Sequence, residues 1–191
     1  MSRAIRPPVC WRSAPRPTRS PPDYGNMGGQ GNINAFFRLW RGIFPGIKRI
    51  VPDARLLVVG ANSPDSIQRL HDGRDVVVTG FVDDVRGHLG QAKVAIIPLE
   101  VAGGFRGRAG EMMAMEIPVV GTHRALDSVE LTPGVHGFIT DSDAEMASHA
   151  ARLLTDDRLR MRMGGECRAL TVARYSIDAT IGTLSDYYSG L

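Results

Sequence analysis

Apolar positions along this chain fall into short uninterrupted runs, separated by longer stretches with helical spacing. Leu56-Leu57-Val58-Val59, Val76-Val77-Val78, Val94-Ala95-Ile96-Ile97 and Val119-Val120 are the runs, and each stops at Gly, Pro or Thr. Runs of this length, without polar alternation, suit strands buried on both faces. The pattern predicts strands over 55–59, 75–79, 94–97 and 118–120, with a short last one over 137–139. Between them the period changes. Ala35-Phe36, Leu39-Trp40 and Ile43-Phe44 form one helical face behind Asn32, a candidate N-cap, so a helix is expected over 32–44. Ala147, Ala150, Ala151 and Leu154 line one face of a helix over 143–154. Further helices are expected over 64–71, 83–91, 156–173 and 177–188. Alternating strands and helices indicate an α/β fold, a Rossmann-like doubly wound, mostly parallel sheet.

The stretch 94–122 carries the chemistry. A strand halted by Pro98, a loop with Gly103 and Gly104, a helical segment and a second strand make a βαβ unit, and such sheets hold ligands at the carboxyl ends of their strands. Glycines let backbone N–H groups approach phosphate oxygens, and the positive end of the following helix favours an anion. Arg106 and Arg108 suit bidentate contacts to the same phosphates. Glu111 lies three residues after Arg108, on the same helix face, where its carboxylate can accept two ribose hydroxyls. The competing reading is an ordinary surface Arg–Glu pair, which contributes only about 0.2–0.5 kcal/mol.

Composition narrows the rest. Residues 1–24 hold five arginines against Asp23 alone, a net of +4, so the remainder of a chain of net charge +3 carries −1. The body therefore lacks the basic field that nucleic acid requires. Six of the twelve prolines also fall in 1–24, which forbids helix and interior strand; a disordered Pro/Arg-rich tail is expected there, with the folded domain over 25–191. Val9-Cys10-Trp11 is its nearest approach to an apolar run and is too short to count as a strand. Cys10 and Cys167 have no metal-binding spacing and imply no disulfide framework, so a reducing compartment is the default. No apolar run approaches a membrane span. The glycine loop 25–31 precedes the first helix without the apolar strand that a dehydrogenase fingerprint needs. His123 is assigned no role, and Met161, Met163 and Tyr175 are expected in helix packing.

Taken in order, several landmarks resemble the donor-binding half of retaining GT-B glycosyltransferases of the group 1, family four type. They are Gly25-Asn26-Met27-Gly28, Pro52-Asp53-Ala54-Arg55-Leu56, Val78-Thr79-Gly80-Phe81-Val82, the stretch from Gly103 through Glu111 to Pro118-Val119-Val120, and Arg174-Tyr175-Ser176. The resemblance spans about residues 25–188. It implies transfer of a sugar from a nucleotide-diphosphate sugar to an acceptor hydroxyl with retention, in cell-envelope polysaccharide or glycan synthesis, without metal or cofactor beyond the donor substrate. Arg106 and Arg108 would stabilise the departing diphosphate. Gly28, Gly29, Gly103, Gly104, Phe105 and Glu111 would hold the donor, with Phe81 and Val82 beside the base.

Three positions depart from the family pattern. Gly103 stands where many members carry a glutamate that contacts the sugar, Arg108 where lysine is usual, and Glu116 where glycine is customary. The implied partners are a nucleotide sugar, a glycan or lipid-linked acceptor and a separate acceptor domain or subunit, with no nucleic acid and no transmembrane segment. The implied location is the cytoplasm, including the inner face of the membrane. The family's middle strand precedes the Gly-Asn loop; here Pro21-Pro22-Asp23-Tyr24 stands in its place, so the domain is expected to lack its first strand and the N-terminal acceptor domain. Two other functions fit the residues: a catalytically inactive nucleotide-binding fragment, and an interaction module.

Overall fold

A strand buried on both faces needs helices on both sides, and the alternation along each strand shows where they lie. The computed structural model describes residues 9–11, 27–100 and 107–181, the first three by backbone alone. Strands β1 (Val9–Trp11), β2 (Arg55–Val58), β3 (Val76–Val78), β4 (Val94–Ile97), β5 (Val119–Gly121) and β6 (Gly137–Ile139) form one sheet in the order β3-β2-β1-β4-β5-β6. β2 and β3 are parallel, as are β4 with β5 and β5 with β6. The fold is the expected mostly parallel α/β sheet.

Leu56, Val58, Val94, Ile96 and Val120 face one core. Helices α1 (Gln30–Arg38), α2 (Phe44–Ile50) and α7 (Asp143–Thr155) cover it. Leu57, Val59, Ala95, Ile97 and Val119 face the other core. It is closed by α4 (Arg86–Leu89), α5 (Gly107–Ala114), α6 (His123–Leu126) and part of α8 (Asp157–Tyr175). A short helix, α3 (Asp65–Gln68), links β2 to β3 and places Ile67 in the first core. Among the described residues no helix is long and apolar enough to cross a membrane.

Three sequence expectations need correction. The middle position of the sheet is filled: β1 pairs antiparallel with β2 (Val9 opposite Leu57) and with β4 (Val9 opposite Ala95). Residues 1–24 therefore do contribute a strand. Three residues suffice because both neighbours are only four residues long, although Pro8, next in sequence, has no N–H to extend a ladder. Second, the first helix starts at Gln30, and Asn32 is a buried residue of its first turn, not the cap. Third, the helical path does not end at Phe44. A π-helical stretch, Leu39–Ile43, closes with the Phe44 N–H donating to the carbonyl of Leu39, and α2 continues through Pro45 to Ile50. Proline removes one backbone donor, and the wider π turn in front of it lets the helix pass at its first turn, where that donor is dispensable.

Helix ends obey their residues. Ser142 caps α7 by accepting from the Glu145 N–H, and Asp156 caps α8 by accepting from the Leu159 N–H at 2.8 Å. Glu116 ends α5 with φ 61°, the left-handed conformation that explains why glycine is customary there. Against that turn lies α8, where an added Cβ on Gly164 would stand 2.3 Å from the Glu116 carbonyl oxygen. Gly164→Ala should therefore force α8 away from α5 and destabilise the fold by about 1–3 kcal/mol, read as a lower urea midpoint at unchanged slope.

Cys167 sits in the second core, its Sγ 2.7 Å from the His136 carbonyl it donates to. Burial pushes its thiol up to about 12, with the charge of Glu166 adding. Because the folded value lies above the unfolded one, stability should fall as pH rises from about 9 towards 12, where only the unfolded chain ionises. At pH 8 an alkylating reagent should leave Cys167 untouched until the chain unfolds; labelling at Cys167 itself in the native protein, located by peptide mapping, at the rate of a free thiol would contradict this placement.

Candidate functional site: the carboxyl edge of the sheet

Parallel strands deliver their following loops to one edge; Phe81 and Val82 follow β3 and Arg108 and Glu111 follow β4, while Gly28 and Gly29 are held at the same edge through Met27. Met27 is fully buried and its N–H donates to the Ala61 carbonyl at 2.8 Å, pinning the glycine loop to the end of β2. Gly28 and Gly29 then lead into α1. Gly29 takes the N-cap position without a side-chain cap, its carbonyl accepts from Asn32 at 2.9 Å, and no acid occupies the first turn. A helix start left without carboxylates suits an anionic ligand.

The ends of β2 and β3 are tied by Gly60 N–H donating to the Gly80 carbonyl at 3.2 Å. Gly80 adopts φ 68°, turning the chain so that Phe81 stands exposed at the rim while Val82 packs against the second core. An exposed phenylalanine here is a ready surface for a flat ring. Beyond β4 the chain passes Pro98, Leu99 and Glu100 before residues 101–106. Gly103, Gly104, Phe105 and Arg106 lie outside the described residues. Arg108 and Glu111 are in the first turns of α5, both half-buried, with Ala109, Met112 and Met113 anchoring the helix in the second core. The structure thus brings the glycine loop, Phe81 with Val82, and the start of α5 to the same edge.

That edge also holds residues that sequence reasoning passed over. Thr122 caps α6 by accepting from the Ala125 N–H at 3.0 Å and donates to the Leu99 carbonyl, joining the ends of β4 and β5. His123 follows at once. Its N–H donates to Asp141 Oδ1 at 3.2 Å, and its Nδ1 lies 3.0 Å from Asp141 Oδ2, so one carboxylate beyond β6 grips both backbone and ring. The ring hydrogen bond holds the Asp141 carboxyl below its ordinary range, with the charges of His123 and Arg38 adding. Arg38, at the end of α1, donates through Nε to Asp143 Oδ1 at 2.7 Å and through Nη2 to the Asp141 carbonyl. Its Nη1 is 3.6 Å from Glu100 Oε1. Arg38, Glu100, Thr122, His123 and Asp141, together with Arg124 and Asp127, line a cleft of about 520 Å³. His123 thus has a defined place, although its sequence position suggested none. Residues 38, 100, 123 and 141 have no shared spacing from which the cleft could be read. Among the described residues no cluster of three His, Cys, Asp or Glu could hold a metal ion.

Comparison with solved structures shows the same architecture. TarM from S. aureus, in complex with Fondaparinux, alpha-GlcNAc-glycerol and UDP, is similar with TM-score 0.71 at 15% identity, over 85% of this chain and 34% of that one. HepE (Alr3699) from Anabaena, in complex with UDP-glucose, has TM-score 0.58 at 18% identity, over 71% of this chain and 40% of that one. The C-terminal domain of the group 1 family protein LpcC from Francisella tularensis has TM-score 0.51 at 18% identity, over 59% and 60%. These likenesses establish the fold, that of one Rossmann-like half of a GT-B glycosyltransferase. The chain spans well under half the length of TarM and HepE. No curated protein matches the sequence. The family model described as "Glycosyl transferases group 1" matches residues 24–156, well over half of the chain, and the chain belongs to that family.

Proposed function

We propose that this chain is the donor half of a retaining glycosyltransferase, binding a nucleotide-diphosphate sugar whose glycosyl group passes to an acceptor hydroxyl in cell-envelope glycan synthesis. The observation that carries the reading is the convergence of two helix starts without first-turn acids, α1 behind Gly28-Gly29 and α5 with Arg108 and Glu111, on one edge of the sheet. The strand order reverses between β1 and β4, the place where open α/β sheets hold nucleotides. The HepE structure, of the same fold, is a complex with UDP-glucose.

In this reading the base lies against Phe81 and Val82, Glu111 accepts the ribose hydroxyls, and the N–H groups behind Gly28 and Gly29, with those of Gly103 to Phe105, approach the phosphates. Breaking the glycosidic bond leaves negative charge on the diphosphate. Arg106 and Arg108 stabilise that charge as it grows, which is the contribution that lowers the barrier. Arginine at 108 offers a planar fork in place of an ammonium point charge, so it favours two phosphate oxygens at once. The acceptor comes from a separate domain or subunit, in the cytoplasm or at the inner face of the membrane, and the donor is the substrate with no further cofactor.

Calorimetry with UDP, GDP and ADP and their sugars tests the reading. At least one should bind with micromolar to millimolar affinity and raise the melting temperature; no shift with any of them at millimolar concentration would refute it. Release of nucleoside diphosphate in the presence of an acceptor separates turnover from binding alone.

Glu111→Ala should weaken the nucleotide that binds by about 1–3 kcal/mol, because the ribose hydroxyls lose a charged acceptor. Melting temperature should hardly change. A variant that melts earlier while binding the nucleotide normally would make Glu111 a structural residue of α5.

A further inference from the structure

We propose that the cleft between the ends of β4, β5 and β6 binds a neutral, polyhydroxylated ring, the sugar of the acceptor, with His123 and Asp127 among its hydrogen-bonding groups. The assignment to an acceptor rests on the donor reading above; the chemistry of the cleft does not. Three observations carry it.

The first is charge. Arg38 and Arg124 face Glu100, Asp127 and Asp141 across the lining, a formal charge of −1 with His123 neutral and zero with it protonated. A phosphate would meet three carboxylates there. A sugar ring instead presents hydroxyls that both donate and accept, and a lining of carboxylates, guanidinium groups and imidazole satisfies both roles.

The second is rigidity. The Arg38 side chain is only 16% exposed and is fixed by Asp143 and the Asp141 carbonyl. Asp141 holds His123 at two points, and Thr122 is tied to Leu99. Polar groups held in place before a ligand arrives lose little freedom on binding, which is what weakly binding hydroxyl ligands need. The volume, about 520 Å³, falls within the range of small-molecule clefts.

The third is position. The α1 and α5 starts gather the diphosphate at the reversal between β1 and β4. The cleft is centred on Thr122, His123 and Asp141, between β5 and β6, roughly 5–10 Å further along the edge at one to two strand spacings past β4. A ring bound there lies beyond a donor whose base end is at β3. It approaches the glycosyl group from the side of Glu100.

The test is a titration of the ¹⁵N-labelled full chain with methyl α-glucopyranoside, methyl α-mannopyranoside and methyl N-acetyl-α-glucosaminide, each with and without UDP. At least one glycoside should shift the amide signals of Thr122, His123 and Asp141 saturably, at the same midpoint in the presence of UDP. His123→Ala and Asp127→Asn, both surface changes, should each raise the glycoside dissociation constant at least fivefold. UDP affinity and melting temperature should stay unchanged in both.

Shifts confined to residues outside the cleft, or a glycoside affinity unchanged from that of the parent chain in both variants, would overturn the proposal. So would displacement of the glycoside by inorganic phosphate, which would make the cleft an anion site. Competition from a nucleotide sugar but not from UDP would overturn it too, by giving the cleft to the donor's own sugar. A chain that binds a nucleoside diphosphate and no glycoside loses the cleft assignment alone, and one that binds no glycoside and none of UDP, GDP and ADP loses the donor reading as well.

Discussion

Burial of β4 on both faces is the constraint on which the rest of this structure depends. Val94 and Ile96 point into one core and Ala95 and Ile97 into the other, all four inaccessible to solvent or nearly so. A strand without a wet face must have helices above and below it. β2 to β6 all run the same way, with only β1 opposed, so each successive pair among them requires a crossover and the loop after each arrives at the same edge. The site is thus a by-product of covering the sheet. Glu100, Thr122 and Asp141 come from three different strand ends, and they meet because β4, β5 and β6 start and stop in register, with Ala95, Val119 and Gly137 side by side.

Most of the sheet was legible because its signal is local. Uninterrupted aliphatic runs ended by Gly, Pro or Thr identify β2 to β5 without reference to anything distant. What escaped was decided at long range. Val9–Trp11 is three residues among prolines, and only the vacancy between β2 and β4 makes a strand of it. Pro45 ends a helix by every local rule, yet Ile43, Phe44 and Ile47 all belong to the core under α7, and the helix yields to that burial by widening one turn.

The candidate site divides along the same line. The glycine loop, Phe81, Arg108 and Glu111 are visible because each lies in a short motif, and the fold carries them to one edge. Arg38 reads in sequence as an unremarkable residue of an amphipathic helix, and His123 as a loop histidine. Their meaning comes from Asp141 and Asp143, more than a hundred positions from Arg38 and about twenty from His123. No spacing rule links such residues. Only the topology, which returns β6 beside β5 and starts α7 against α1, brings them together.

Electrostatics then separates the two ends of the edge. All helices at this edge begin with exposed N–H groups and the same partial positive charge, so geometry alone would let an anion bind at any of them. The side chains break that symmetry. α7 carries Asp143 and Glu145 in its first turn beneath the Ser142 cap, with Asp143 already engaged by Arg38. α6 is closed by Thr122. The starts of α1 and α5 carry no such acids. On the proposed reading a diphosphate is drawn to the β1/β4 side, while the β5/β6 side, where Arg38 is engaged by Asp143 and His123 by Asp141, is left to hydroxyl groups. If both proposals hold, one edge of one sheet keeps a charged leaving group and an uncharged nucleophile next to each other without exchanging them.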